Sequence, residues 1–229
     1  MLTRIALVSL ILGSAALARA TAPPAVDCAQ CRAICREGAK PYQNDVAAEP
    51  TEPQHKNKDA QAAFTDGRRK DPAFGGADVA GAVDAYKRAV ILDNDNAQYR
   101  NYLAAALLWA GRVDEAIYNL EQANNLVPSE PKFVVNLGYA HHRRGDETRA
   151  MLYYSRALML DPRSLRARLF LGYALELMGY RDEAITELKK VLVQDQANEG
   201  AKAALRRLGV VVVPMPPLSS PPPTPPPPR

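Results

Sequence analysis

Three consecutive stretches decide the fold: AQYRNYLAAALLWAGRVDEAIYNLEQANNLVPSE (Ala97–Glu130), PKFVVNLGYAHHRRGDETRAMLYYSRALMLDPRS (Pro131–Ser164) and LRARLFLGYALELMGYRDEAITELKKVLVQDQAN (Leu165–Asn198). Aligned without gaps, they repeat every 34 residues. The seventh and eighth positions are Leu103–Ala104, Leu137–Gly138 and Leu171–Gly172. The fifteenth is Gly111, Gly145 and Gly179, and the twentieth is Ala116, Ala150 and Ala184. Leu120, Tyr154 and Leu188 follow at the twenty-fourth, then Ala123, Ala157 and Val191 at the twenty-seventh. Pro128 and Pro162 close the first two units, and Gln196 takes that place in the third.

This register resembles the tetratricopeptide repeat (TPR), whose period and small-residue offsets it shares. The resemblance implies an all-α fold, an α-α superhelical solenoid of TPR helix hairpins. The apolar periodicity independently gives two helices of about 13 residues per unit, divided at the glycine. A glycine takes positive φ without steric cost and so suits the tight turn. Asp114–Glu115, Asp146–Glu147 and Asp182–Glu183 follow that turn. Carboxylates there favour the positive end of the second helix. One such hairpin cannot bury its apolar stripe alone, so stacking makes the core.

Residues 1–20 read as a signal peptide, with a positive start at Met1–Arg4, an apolar run Ile5–Leu12 and the A-x-A pattern Ala18-Arg19-Ala20. An uncleaved amino-terminal anchor is the alternative reading. The run is short for a membrane span, and no other segment is apolar enough to be one. Export, into the periplasm or cell envelope of a bacterium, is the localisation this implies. Removing Arg4 and Arg19 takes the formal net charge from +4 to +2, so the pI of about 9.0 is no argument for nucleic acid.

Residues 21–58 form a Pro-, Ala-, Gln- and Glu-containing segment that holds every cysteine of the chain: Cys28, Cys31 and Cys35. Arg32 stands where haem attachment needs a histidine, and zinc would need a fourth ligand. In an oxidising compartment one disulfide within the cluster leaves an odd thiol for a second chain or a partner, so an oligomer is one outcome. A thiol-linked accessory role is therefore the competing function. Residues 59–96 read as a degenerate first unit. Ala60–Gly67 is its first helix, and Ala82, Tyr86 and Ala89 fall at the second-helix offsets, with a link about two residues longer than usual between them. After the three units at 97–198 come a capping helix at 199–209 and a proline-rich tail at 210–229. Low complexity at both ends predicts disordered termini, and the tail composition suits extended polyproline II.

No nucleophile elbow and no phosphate-binding glycine loop are present, so the sequence points to no enzyme and no cofactor. His141 takes an offset that packs in the core, whereas Trp109 reads equally well as packed or exposed. TPR proteins line a concave groove with fixed offsets of the first helix. The resemblance places Asn101, Tyr102, Lys132, Asn136, Tyr139, Arg166, Phe170 and Tyr173 there. Asn136 matches the asparagine of a known carboxylate clamp, while Asn101 and Ala105 stand where that clamp has a lysine and an asparagine. Between Pro131 and Arg181 nine Lys/Arg face four Asp/Glu, which suits an acidic segment or a free carboxyl terminus. The implied partner is another protein or peptide segment held by a non-catalytic scaffold.

Overall fold

The computed structural model describes residues 57–212. Residues 1–20, read above as a signal peptide, the three cysteines and nearly all of the proline-rich tail lie outside the described residues. Among those described, nine α-helices and one 3-10 turn alternate direction and no strand occurs. They are α1 (Lys58–Lys70), the 3-10 turn Pro72–Phe74, α2 (Val79–Leu92), α3 (Ala97–Trp109), α4 (Val113–Leu126), α5 (Pro131–Arg144), α6 (Glu147–Leu160), α7 (Leu165–Leu177), α8 (Arg181–Gln194) and α9 (Glu199–Arg207). Each helix packs on the next in the chain, and α5 also touches α7. Four hairpins thus stack into a solenoid closed by α9.

The turns follow from the glycines. Gly111, Gly145 and Gly179 have φ of 75°, 85° and 81°. Behind each, the next residue's amide reaches back into the last turn of the preceding helix: Arg112 to Leu107 O at 2.8 Å, Asp146 to His141 O at 3.0 Å and Tyr180 to Leu175 O at 2.9 Å. This Schellman arrangement satisfies carbonyls that the helix end would otherwise orphan. Where the second helix then starts, Asp146 caps α6 by accepting from Arg149 N at 3.1 Å. In α4 and α8 the carboxylates sit inside the first turn instead, and Arg112 and Tyr180 make no side-chain cap bond.

Small residues at the eighth offset let the paired helices approach. A Cβ added to Gly138 would lie 2.6 Å from the Tyr154 ring, and one on Gly172 would lie 2.8 Å from Leu188 Cγ. The first of the three regular units solves the same contact with Ala104 against Leu120, both fully buried. Gly67 belongs to this series. Its added Cβ would meet Tyr86 at 2.6 Å, so Gly67 is a packing position inside α1 rather than its end. Arg68, Arg69 and Lys70 continue the helix, helped by Asp66 ion pairs to Arg69 at 2.6 Å and Lys70 at 2.7 Å. Gly67 and Tyr86 are 19 residues apart where Gly138 and Tyr154 are 16, so the link carries three extra residues, not two. The surplus forms the 3-10 turn, capped by buried Asp71, whose carboxylate accepts from Ala73 N at 2.9 Å and Tyr86 Oη at 3.1 Å. Burial pushes the Asp71 carboxyl above its ordinary range. Aromatic rings knit this hairpin to the next, with Phe64 at 5.1 Å from Tyr99 and 4.9 Å edge-on to Tyr102.

Candidate partner-binding groove

Because the hairpins alternate direction, α1, α3, α5, α7 and α9 run the same way and form the inner layer. Successive first helices bring the fifth position of one unit, the sixth of the next and the second of the third within hydrogen-bond reach. Asn136 Nδ2 donates to Asn101 Oδ1 at 2.6 Å, and Arg166 Nη2 donates to Asn136 Oδ1 at 2.8 Å. Three consecutive repeats are therefore joined by one polar ladder. Asn101 and Asn136 are buried, so each donor and acceptor spent on the ladder is one that burial would otherwise penalise.

Beside the ladder runs an aromatic row. Tyr139 stacks on Phe170 at 5.5 Å with 30° between planes, Phe170 lies 6.2 Å from Tyr173, and Tyr154 backs Phe170 at 5.6 Å. Guanidinium groups cover these rings: Arg143 is 5.9 Å from the Tyr139 centroid, Arg166 5.5 Å from Phe170, and Arg207 5.9 Å from Tyr173. Arg207 also binds Glu176 through two contacts of 2.9 Å, which ties α9 to α7. At the other end Arg68 lies 4.7 Å over Phe74. Such cation–π contacts orient the charge along the ring face without neutralising it.

Of the eight residues assigned from the sequence, Asn101, Tyr102, Asn136, Tyr139, Phe170 and Tyr173 are buried, while Lys132 and Arg166 are half-buried. Tyr102 groups with Phe64, Phe74 and Tyr86 at the first hairpin, away from the Tyr139–Phe170–Tyr173 row. Arg68, Arg143 and Arg207, none of them among those eight, lie in the last turns of α1, α5 and α9, at the opposite helix ends from Lys132 and Arg166. The i,i+4 spacings Phe64–Arg68, Tyr139–Arg143 and Arg166–Phe170 carry a legible signal for rings under guanidinium groups. Arg207 on Tyr173 crosses between helices and has no such signal.

The two adjacent histidines point to different sides of α5. His141 is buried and stacks on Tyr153 at 5.2 Å, a core role, and burial holds its pKa below the ordinary histidine value. Arg144 Nη2 approaches His141 Nδ1 at 3.2 Å. His142 Nδ1 lies 2.8 Å from Glu147 Oε2, a buried pair joining α5 to α6. Trp109 is exposed at the end of α3. Among the described residues no cluster of three or more His, Cys, Asp or Glu is arranged to hold a metal, and no helix is long and apolar enough to cross a membrane.

A stack of helical hairpins with a polar ladder along one face defines an α-α repeat protein, an architecture that offers a concave surface to another chain. Residues 141–208 match the family described as Tetratricopeptide repeat, and the stacked hairpins around them share the fold of solved repeat structures. Over 98 residues it is 31% identical to Anaphase-promoting complex subunit 3 of Schizosaccharomyces pombe, a match that covers 42% of this chain and 15% of that protein. The crystal structure of MamA is similar at a TM-score of 0.54 and 23% identity, covering 70% of this chain and 88% of the other. A thermophilic TPR protein of Thermus thermophilus superposes at a TM-score of 0.56 with 22% identity, covering 65% of this chain and 80% of its own.

Proposed function

We propose that the protein is a non-catalytic scaffold, exported to the envelope of a bacterium, that holds an acidic or carboxyl-terminal segment of another protein along its inner face. The observation that carries this is the ladder Asn101–Asn136–Arg166 beside Lys132 and the ring row, a linear array of amide and cationic groups. The buried ladder and ring row hold the inner face in shape, and the half-buried cations Lys132 and Arg166 set on it meet carboxylates of the client. Export supplies the client pool, envelope assembly and secretion being the settings in which unfolded segments need holding.

Capture from an envelope extract tests the reading. The intact chain is compared with Lys132→Glu/Arg166→Glu, which reverses charge at half-buried positions, and with Asn136→Ala/Tyr139→Ala/Arg166→Ala. Unchanged helical circular dichroism certifies folding of each. The expected result is a client set lost from both variants. Identical captured proteins from all three chains would sink the groove assignment. Sequencing the mature amino terminus from a periplasmic fraction, with Thr21 expected first, tests export separately.

A further inference from the structure

The chain carries its own acidic segment shortly before the first described residue. From Pro41 to Gln54 it contains Asp45, Glu49 and Glu52 and no Lys or Arg. Glu49 and Glu52 each precede a proline, Pro50 and Pro53. A residue before proline is steered away from helical backbone toward extended backbone, so this sequence favours the conformation that an elongated groove accepts.

Its attachment point is fixed. Asn57 caps α1, its side chain accepting from Asp59 N at 2.8 Å, and its Nδ2 donates to Leu92 O at 3.4 Å. The segment therefore leaves the solenoid at the rim where the inner helices begin. Lys132 and Arg166 occupy the first turns of α5 and α7, at that same rim. Neighbouring packed helices are roughly 10 Å apart, which puts α5 about 20 Å and α7 about 30 Å from α1. An extended chain covers about 3.3 Å per residue. Counting back from Asn57, Glu49 is eight residues away and Asp45 twelve, spans of about 26 Å and 40 Å on that scale. Glu49 thus reaches Lys132, and Asp45 reaches Arg166.

We infer that residues 43–54 of the same chain occupy the basic inner face, Glu49 toward Lys132 and Asp45 toward Arg166, and that an incoming client must displace them. This rests on the groove reading above and adds an internal competitor to it. Tethering through a short link gives an effective concentration on the order of 1 mM. A free segment that binds the open groove at about 100 µM is then weakened roughly tenfold by the tethered copy.

The test titrates a fluorescein-labelled peptide of residues 41–56 into the full chain and into its Asp45→Asn/Glu49→Gln/Glu52→Gln variant, followed by anisotropy. The expected result is about tenfold tighter binding to the variant, lost again when Lys132→Gln/Arg166→Gln is added. Equal affinity for both chains overturns self-occupation but leaves client binding intact. No binding to either chain also overturns it, and the capture experiment then decides the client reading alone. Sedimentation velocity of the full chain at several concentrations gives the remaining outcome. A dimer dispersed by the three acidic-to-amide changes makes the occupant a second copy, which overturns the intramolecular arrangement.

Discussion

Gly138→Ala isolates the close helix contact from every other feature of the repeat. The added Cβ falls 2.6, 2.7 and 3.1 Å from Cε1, Cδ1 and Cζ of Tyr154. That ring is buried and backed by Phe170 at 5.6 Å, so it has nowhere to retreat. Overpacking a core costs about 1–3 kcal/mol. Replacing a mid-helix glycine with alanine returns about 1 kcal/mol of helix propensity. The clash wins because the obstacle is a rigid ring rather than the end of a flexible chain, leaving a net loss of roughly 1–2 kcal/mol. Chemical denaturation followed by helical circular dichroism reads this as a lower midpoint. Gly138→Ala/Tyr154→Leu rebuilds the Ala104–Leu120 pair of the preceding unit and recovers most of the loss, a coupling of about 1–2 kcal/mol in a double-mutant cycle. A single variant as stable as the parent, or a double variant no better than the single one, would refute the reasoning.

Gly172→Ala meets only Leu188 at close range, whose Cγ and Cδ2 lie 2.8 and 2.9 Å away on a side chain able to shift, so its midpoint falls less than that of Gly138→Ala in the same denaturation assay. Gly145→Ala meets no atom within 4 Å but keeps a φ of 85°; left-handed backbone costs an alanine about 1–2 kcal/mol, so thermal melting shows a loss with no steric cause. His141 is pushed below its ordinary pKa of 6.5 by burial, so the unfolded chain takes up the proton first. Its stabilising contribution is complete above that value and declines as pH falls below it. His141→Leu, which copies Leu107 and Leu175 at the same offset, therefore flattens the midpoint difference between neutral and mildly acidic buffer. Arg207→Ala removes the Glu176 pair and the Tyr173 cover, and hydrogen exchange is expected to quicken in α9 with little change in α3–α6.

The solenoid was readable because each diagnostic residue does a local job that only certain side chains perform. Gly145 must turn with positive φ, Gly138 must admit the Tyr154 ring, and both recur at their offsets. Gly67 escaped for the same reason. A glycine near a helix end reads as a stop, and only the position of Tyr86 across the hairpin reveals it as a contact. The three surplus residues blurred that offset. For the groove, the offsets located the right helix faces, but the bonds among them depend on superhelical geometry. That Asn136 donates one rung to Asn101 and accepts the next from Arg166, or that Arg207 returns from α9 to Tyr173, follows from how far each hairpin rotates against its neighbour. A pattern of single residues does not encode that angle.

The rungs from Asn101 through Asn136 to Arg166 have a mechanical consequence. Repeat arrays flex because each hairpin touches only its neighbours. A rung holds the lip of the hollow at one width, since opening one joint stretches a 2.6 Å bond and opening the next stretches one of 2.8 Å. Whatever draws Arg166 away from Asn136 frees an oxygen that Asn136 must then re-pair, and the disturbance passes to Asn101. The span of the cradle is therefore set jointly by three hairpins rather than by each joint alone.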